Sequence, residues 1–508
     1  MALAALLGRN VARMLTLREL CAGVPGVRVV RGGDRRVAKV RVDSRRVDAD
    51  DLFVAIPGRN EDGLRYAAQV LERGATGIVA PPGATAPPDG AWIVADDVRL
   101  AAALLAARAW GRPSRKLDVL GITGTNGKTT TAFLVRSIWY AAGKRTALLG
   151  TLGAYLPEGV LAQGRTTPEA PDLQETLAEA LRQRAAMAVL EVSSHALDLR
   201  RVDGTSFAAA AFLNLSAEHL DWHGSMESYC ESKLRLFSEL LEPGRAPSGP
   251  RAVLNAEDPW VDRFRRVAED ALLFAVGGGD AEVTACGLRG GTAGTEFILE
   301  TPVGEAEIML PLPGRHNVAN ALAAASLAVV MGIPLGAIVD GLATAKAPPG
   351  RFERVHAGSF DAYVDYAHTE DGLRRALGAA REIARGKVIV VLGCGGDRDR
   401  TKRPAMGRAA AELADLAVFT SDNPRSEDPE KIIEEMLAGT GDARKRVVVV
   451  TDREEALARA VESAAAGDLV LACGKGHETI QSIAGVDHPF PERTILSRLA
   501  ARRDKRAT

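Results

Sequence analysis

Apolar and polar positions alternate along the chain in three stretches, in each of which short β-rich runs take turns with runs of helical period. From about residue 15 to 110, VRVVRG, KVRVDSR, DLFVAIPG, GIVAPP and WIVADD are bounded by turn formers. They alternate with RYAAQVLERG and VRLAAALLAARAW, which predicts a small α/β unit. GRPSRKL, at 111–117, breaks both periods with Gly, Pro and Ser and reads as a linker.

The second stretch opens with DVLGITGTNGKTTTAFLVRSIWYAAG, a buried strand, a Gly-rich loop and an amphipathic helix. It continues through AMAVLEVSS, AAAAFLNLS and a β-rich patch (EVTACGL, TEFILETP, AEIMLPLPG) to the helix VANALAAASLAVVMG, a pattern that predicts a mainly parallel sheet. Pro348, Pro349 and Gly350 mark a second hinge. Beyond it YVDYAH, KVIVVLGCGGDRDR, LAVFTSDNPRS, RVVVVTD and DLVLACGKGHE are apolar runs ending in polar, Gly-containing residues, as in a doubly wound α/β unit. The expected class is therefore α/β in three domains: a small N-terminal α/β domain (1–115), a central P-loop ATPase-like domain with a mainly parallel sheet (116–347) and a C-terminal Rossmann-like doubly wound domain (348–508). A length of 508 residues fits that division.

Charge and cysteine content narrow the classes. A net charge of −1 argues against a nucleic-acid-binding surface, so an anionic ligand needs a local pocket. The five cysteines include no CxxC pair and are odd in number, which suits a reducing compartment. MALAALL is too short and lacks the cationic start of a signal peptide, and no apolar stretch is long enough to span a bilayer, so a cytoplasmic protein without membrane insertion is expected.

Gly121-Ile-Thr-Gly124-Thr125-Asn126-Gly127-Lys128-Thr129-Thr130 lies between a strand and a helix, where backbone N–H groups and the positive helix end cradle phosphates. Lys128 is placed to reach the β/γ-phosphates and Thr129 to bind Mg²⁺. The strict GxxxxGK spacing fails, because Ile122 stands where the first Gly belongs. A plain Gly-rich turn is the bland alternative. Glu191 ends the strand of LEVSSHAL at a sheet's C-terminal edge and is the expected second Mg²⁺ ligand. His219 and His223 have the HxxxH spacing of a zinc pair, although hard oxygen ligands and Mg²⁺ suit a triphosphate site better.

These residues resemble the Mur ligase family over nearly the whole chain, from Asp43-Ser44-Arg45 to Gly474-Lys475-Gly476-His477-Glu478. GTNGKTT has that family's own Gly spacing, which accounts for Ile122. The resemblance implies an ATP-dependent amide ligase of the branch that adds meso-diaminopimelate to UDP-MurNAc-L-Ala-D-Glu, with Mg²⁺ and with CO₂ as a lysine carbamate. In Tyr229-Cys-Glu-Ser-Lys233 it implies that the lysine carries the carbamate and, with His219, holds a second Mg²⁺. By the same resemblance Asn317 and Asn320 contact the base; a structural role for Asn320, since Asn caps helices readily, is the alternative. Arg351 stabilises the transferring phosphoryl group and Asp365 contacts ribose or its surroundings.

The implied precursor-binding residues are Ser44, with Gly58-Arg59-Asn60-Glu61-Asp62-Gly63 nearby, and Thr166, Thr167, Ser193 and Arg201. Two positions depart from the family pattern: Arg165 stands where an Asn is common, and Leu199 where some members have Gln. The diaminopimelate residues are Asp422, Asn423, Pro424, Arg425, Arg398, Gly474 and Glu478. Arg425 can pair bidentately with a carboxylate that a lysine substrate lacks. An Arg that merely follows an Asn-Pro turn is the alternative. A kinase or NTPase switch, a non-catalytic nucleotide module, and lysine or D-alanyl-D-alanine addition within the family also stay open. A monomer is expected.

Overall fold

The computed structural model describes residues 14–58, 61–162, 164–242, 244 and 251–507. The MALAALL run, Arg59 and Asn60 lie outside them. Three sheets follow one another along the chain.

In the first sheet the strand order is Val27–Arg31, Ala91–Ala95, Gly77–Ala80, Leu52–Val54, Val40–Arg41, and all pairs are parallel except the first. Successive residues face opposite sides of a strand, and both sides here are apolar. Leu52 and Val54 join Leu17, Leu20 and Leu105 on one face, while Phe53 joins Val70 and Trp92 on the other. Lys39 and Arg41 tie this unit to the central one, at 2.8 and 2.7 Å from Glu175 on the helix Ala170–Arg182.

The central sheet has eleven strands. Asp118–Thr123, which leads into the phosphate loop, lies between Ala209–Phe212 and Met187–Glu191, both parallel to it. The chain winds to one side through Thr146–Gly150 and Met187–Glu191, then crosses to the other side at Ala209–Phe212. A crevice for ligands opens where the winding reverses, at the carboxyl ends of these strands. Helices Lys128–Ala141 and Arg315–Val330 cover one face, and Ala170–Arg182 and Met226–Ser238 the other. Strands buried on both sides read as near-continuous apolar runs, which is why the pattern identified them. The β-rich patch forms an antiparallel meander, Val283–Gly291, Gly294–Thr301 and Gly304–Leu310, that extends the same sheet.

The third sheet runs Glu353–Ala357, Asp361–Asp365, Leu469–Cys473, Val388–Leu392, Leu416–Phe419, Val447–Val449, parallel after the first pair. Apolar clusters on both of its faces make it doubly wound. A hairpin, Ile480–Ile483 with Val486–Pro489, stands beside it. Among the described residues no helix is long and apolar enough to cross a membrane.

The helix Leu335–Ala343 packs backbone to backbone on the phosphate-loop helix through Gly341. A Cβ there would lie 2.4 Å from Ile138 Cα, and Ser137 Oγ donates to Gly341 O at 2.7 Å. Gly341→Val should therefore destabilise the protein by about 1–3 kcal/mol, the usual cost of overpacking, read as a lower thermal unfolding midpoint.

Candidate active site

The phosphate loop is shaped by two glycines and clamped by one asparagine. Gly124 (φ 154°) and Gly127 (φ 91°) adopt backbone angles that side chains disfavour, and a Cβ on Gly127 would meet Asn320 Oδ1 at 2.3 Å. Asn214, just past Ala209–Phe212, holds the loop through its carbonyl on Thr125 N (2.9 Å) and its amide on both Asn126 N (2.9 Å) and Asn126 O (3.0 Å). Lys128 Nζ donates to Gly124 O (2.7 Å) and Thr125 O (2.9 Å), and Lys233 Nζ donates to the same Gly124 O at 3.1 Å. Burial lowers both ammonium pKa values; the charge of Lys128 lowers that of Lys233 further. The Tyr229 ring lies 4.5 Å from Lys233 Nζ.

Glu191 is the hub of the next layer. Its fully buried carboxylate accepts from Thr129 Oγ1 (2.9 Å), Thr151 N (3.0 Å) and Thr151 Oγ1 (3.1 Å), and its carbonyl accepts from Thr167 Oγ1 (2.8 Å). Any side chain at Gly150 would fall on it, with a Cβ 2.0 Å from Glu191 Oε1. Thr166, Thr167, Ser193 and Arg201 assemble beside it: Thr166 Oγ1 is 3.0 Å from Thr151 Oγ1, Thr167 Oγ1 is 3.2 Å from Ser193 Oγ, and Arg201 donates to Thr167 O at 3.4 Å. Arg165, at the departure from the family pattern, pairs with Glu169 (3.3 Å), as Arg201 does (3.0 Å). Leu199 C-caps the short helix Ser194–Asp198. Ser44 lies in the N-terminal unit, where its carbonyl accepts from Arg73 at 2.9 Å. Between the first and second units a cavity of about 280 Å³ is lined by Arg46, Arg165, Glu169 and Glu175 among others.

The third unit reaches across to this loop. Arg351 Nη2 lies 3.5 Å from Thr129 Oγ1, its guanidinium sits 4.5 Å over the Tyr366 ring, and its buried Nε has no hydrogen-bond partner among the described residues. His368 Nε2 is 3.3 Å from Glu218, and Asp371 Oδ2 accepts from Asn126 Nδ2 (2.8 Å) and Ser216 Oγ (3.3 Å). Burial opposes the Glu218 anion, yet the hydrogen bond from His368 and the nearby charges hold its carboxyl well below the usual range. His219 is 3.8 Å from Glu218, and burial lowers its pKa. His223 is engaged instead by two serines, Ser194 Oγ at 3.0 Å on Nε2 and Ser232 Oγ at 3.4 Å on Nδ1.

Asn317 and Asn320 lie inside the helix Arg315–Val330, whose N-cap is Gly314, and do not cap it. Asn320 bridges Asn317 Oδ1 (3.2 Å) and Thr131 Oγ1 (3.4 Å). Asp365 spends both oxygens on backbone, at 2.6 Å from Phe352 N and 2.7 Å from Ala367 N, so it shapes the Arg351 loop; burial raises its pKa.

The carboxyl ends of the third sheet gather the remaining residues. Asn423 Nδ2 donates to Glu478 Oε2 at 2.8 Å, and a Cβ on Gly474 (φ 111°) would lie 2.4 Å from Asp422 Oδ2. Arg425 takes a left-handed backbone (φ 51°) held by Arg425 N on Ser482 O at 3.0 Å, and its guanidinium donates to Gly396 O. Pro424 packs its carbonyl against Gly396. Arg398 is exposed; a Cβ on Gly395 would lie 3.2 Å from Arg425 Nη1 and 3.8 Å from Arg398 Cγ, so both side chains border that glycine.

Neither Lys128 nor Lys233 is within ion-pair distance of a carboxylate among the described residues; the half-buried Lys128 and the buried Lys233 share one carbonyl oxygen. That arrangement fits an incoming polyphosphate, and a neutral Lys233 amine is the form that can add CO₂. Thr129 and Glu191 supply the hard oxygens that Mg²⁺ prefers. Sequence reasoning missed Thr151, Asp371 and Glu218. Asp371 carries a signal in hindsight: it follows the Thr369 N-cap, where an acidic residue suits the helix start.

The Mur ligase middle domain matches residues 122–328, and the Mur ligase glutamate ligase domain matches residues 350–476. A UDP-N-acetylmuramoyl-L-alanyl-D-glutamate–2,6-diaminopimelate ligase of Bacillus licheniformis is 42% identical over 92% of this chain and 95% of its own. The protein of that name from Solibacter usitatus is 43% identical over 90% and 92%. A solved structure bearing the same name superposes with a TM-score of 0.67 at 31% identity, over 96% of this chain and 99% of the other.

Burial lowers the pKa of His316 and of His477 from 6.5 to about 4. The unfolded chain then binds protons that the folded chain refuses, so the stability these histidines contribute is full above pH 6.5 and is lost as pH falls towards 4. The thermal midpoint should drop on acidification from about pH 7.5 to about pH 5, and His316→Gln should flatten that slope.

Proposed function

Because the chain belongs to the Mur ligase family, we propose that it joins meso-diaminopimelate to the D-Glu side-chain carboxylate of UDP-MurNAc-L-Ala-D-Glu, consuming ATP through an acyl phosphate in peptidoglycan precursor synthesis. The observation that carries this reading is the meeting of Arg351, from beyond the Pro348-Pro349-Gly350 hinge, with Thr129 and Glu191 at a phosphate loop on which the Lys128 and Lys233 amines converge. A kinase-like site does not need the amino-acid cluster that the same unit carries at its sheet edge.

We divide the work at 115/116 and 347/348. The N-terminal unit, with Ser44, holds the uridine diphosphate part of the precursor, and Thr166, Thr167, Ser193 and Arg201 hold its peptide tail. Gly124 to Thr130 wrap the triphosphate. Asn317 and Asn320 set the edge of the base site, and Asp365 fixes the loop that presents Arg351. Lys128 and Arg351 neutralise charge on the transferring phosphoryl group, the main requirement of such a transfer. Thr129 and Glu191, and His219 with a carbamate on Lys233, would hold Mg²⁺, which supplies charge neutralisation on phosphate and on the developing oxyanion. Arg398 and Arg425 take the distal carboxylate and Glu478 the distal ammonium, on a floor built by Asp422, Asn423, Pro424 and Gly474. Activation is required because a carboxylate is a poor electrophile at neutral pH; the diaminopimelate amine then displaces phosphate. We take the enzyme to be a cytoplasmic monomer, and its balanced net charge argues against a nucleic-acid partner.

One assay tests the reading. With UDP-MurNAc-L-Ala-D-Glu, ATP and competing diaminopimelate, lysine and D-alanyl-D-alanine, ADP should appear only with diaminopimelate, together with the amide product. ADP release without an amine would sink it. In the same assay Arg425→Ala should raise KM for diaminopimelate by about a hundredfold or more while KM for ATP changes by less than about threefold. Lys233→Ala should lose activity by about a hundredfold and regain part of it with formate or acetate, which replace the missing carboxylate. No recovery at any concentration counts against the carbamate.

A further inference from the structure

The amino-acid cluster contains a cation that the roles above leave unused. Lys475 is fully buried, and its ammonium donates to Asn423 Oδ1 at 3.0 Å and to Glu478 Oε2 at 3.3 Å, with Asp422 Oδ1 at 3.8 Å and the Phe490 ring centre at 6.0 Å. A buried ammonium is costly unless hydrogen bonds and opposite charge compensate it, and here both do.

Two consequences follow from these contacts. Lys475 Nζ and Asn423 Nδ2 converge on the same oxygen of Glu478, Oε2, which leaves Oε1 as the acceptor for a ligand's donor. Asn423 is fixed in turn, because its Oδ1 also accepts from Ser482 N of the hairpin at 3.0 Å. The formal charges of Asp422, Glu478 and Lys475 sum to one negative, while Arg425 and Arg398 border the neighbouring Gly395. One net negative charge next to guanidinium groups matches a zwitterion, an ammonium and a carboxylate on one carbon. Two uncompensated carboxylates would match an isolated ammonium better.

We propose that Lys475 is a positioning residue that orients Glu478 and sets the pocket at a single negative charge, so that the pocket selects an amino acid with a zwitterionic distal end over one ending in an ammonium alone. The proposal rests on the diaminopimelate reading above.

The test compares kcat/KM for diaminopimelate and for lysine in the full-length enzyme and in Lys475→Met, Lys475→Gln and Lys475→Arg. Met and Gln remove the charge, so KM for diaminopimelate should rise by about tenfold, the diaminopimelate-to-lysine ratio should fall by at least about tenfold, and KM for ATP should stay within about twofold. Arg keeps the charge and should hold the ratio near that of the unaltered enzyme. Gln, uncharged but still able to donate a hydrogen bond, serves if the Met variant does not fold. A ratio that stays constant, or KM values for ATP and diaminopimelate that rise together in every folded variant, overturns the proposal. If the unaltered enzyme does not use diaminopimelate at all, it is the broader reading that fails.

Discussion

The active site depends on one buried carboxylate. Glu191 ends the strand next to the phosphate-loop strand, and its side chain and carbonyl together hold Thr129, Thr151 and Thr167, which belong to the loop helix, the neighbouring strand end and the segment leading into the helix Ala170–Arg182. A carboxylate with no exposure survives only when its lone pairs are filled, so these hydroxyls are both its partners and its justification. The phosphate loop, the end of the neighbouring strand and the Thr166-Thr167 segment are thereby held in one geometry.

The layer architecture was legible because each strand is covered on both sides and therefore reads as an apolar run between turn formers. The antiparallel end of the central sheet was not: the patch falls within the same stretch of sequence, but only register shows Val283–Gly291, Gly294–Thr301 and Gly304–Leu310 extending the parallel strands as a meander. The phosphate loop, Glu191 and the DNPR segment were legible since their chemistry sits in contiguous residues. The grip of Asp371 on Asn126 could not be read, because 245 positions separate the two and neither residue type is unusual where it stands. Asp365 and Asn320, which the family pattern assigns to the nucleotide site, also bond the protein's own loops and helices, contacts that the pattern does not reveal.

Electrostatics separates the two halves of the site. At the phosphate loop, Lys128 and Lys233 have no carboxylate within ion-pair distance among the described residues and are free to meet negative charge. At the third sheet's edge Lys475 is partnered by acids, and the guanidinium groups of Arg425 and Arg398 lie on more open loops. The same residue type thus does opposite work in one chain, according to which carbonyls and carboxylates the fold sets beside it.

The contacts of Arg351, His368 and Asp371 with the loop unit bear on how the protein melts as well as how it works. All three lie within a short span beyond the hinge, so the loop and the third unit share part of their binding free energy. Coupling of this kind is reciprocal: a ligand that orders one side raises the affinity of the other for its own ligand by the same factor. A nucleotide that favours the joined arrangement therefore also lends heat resistance to a unit it touches only at its margin.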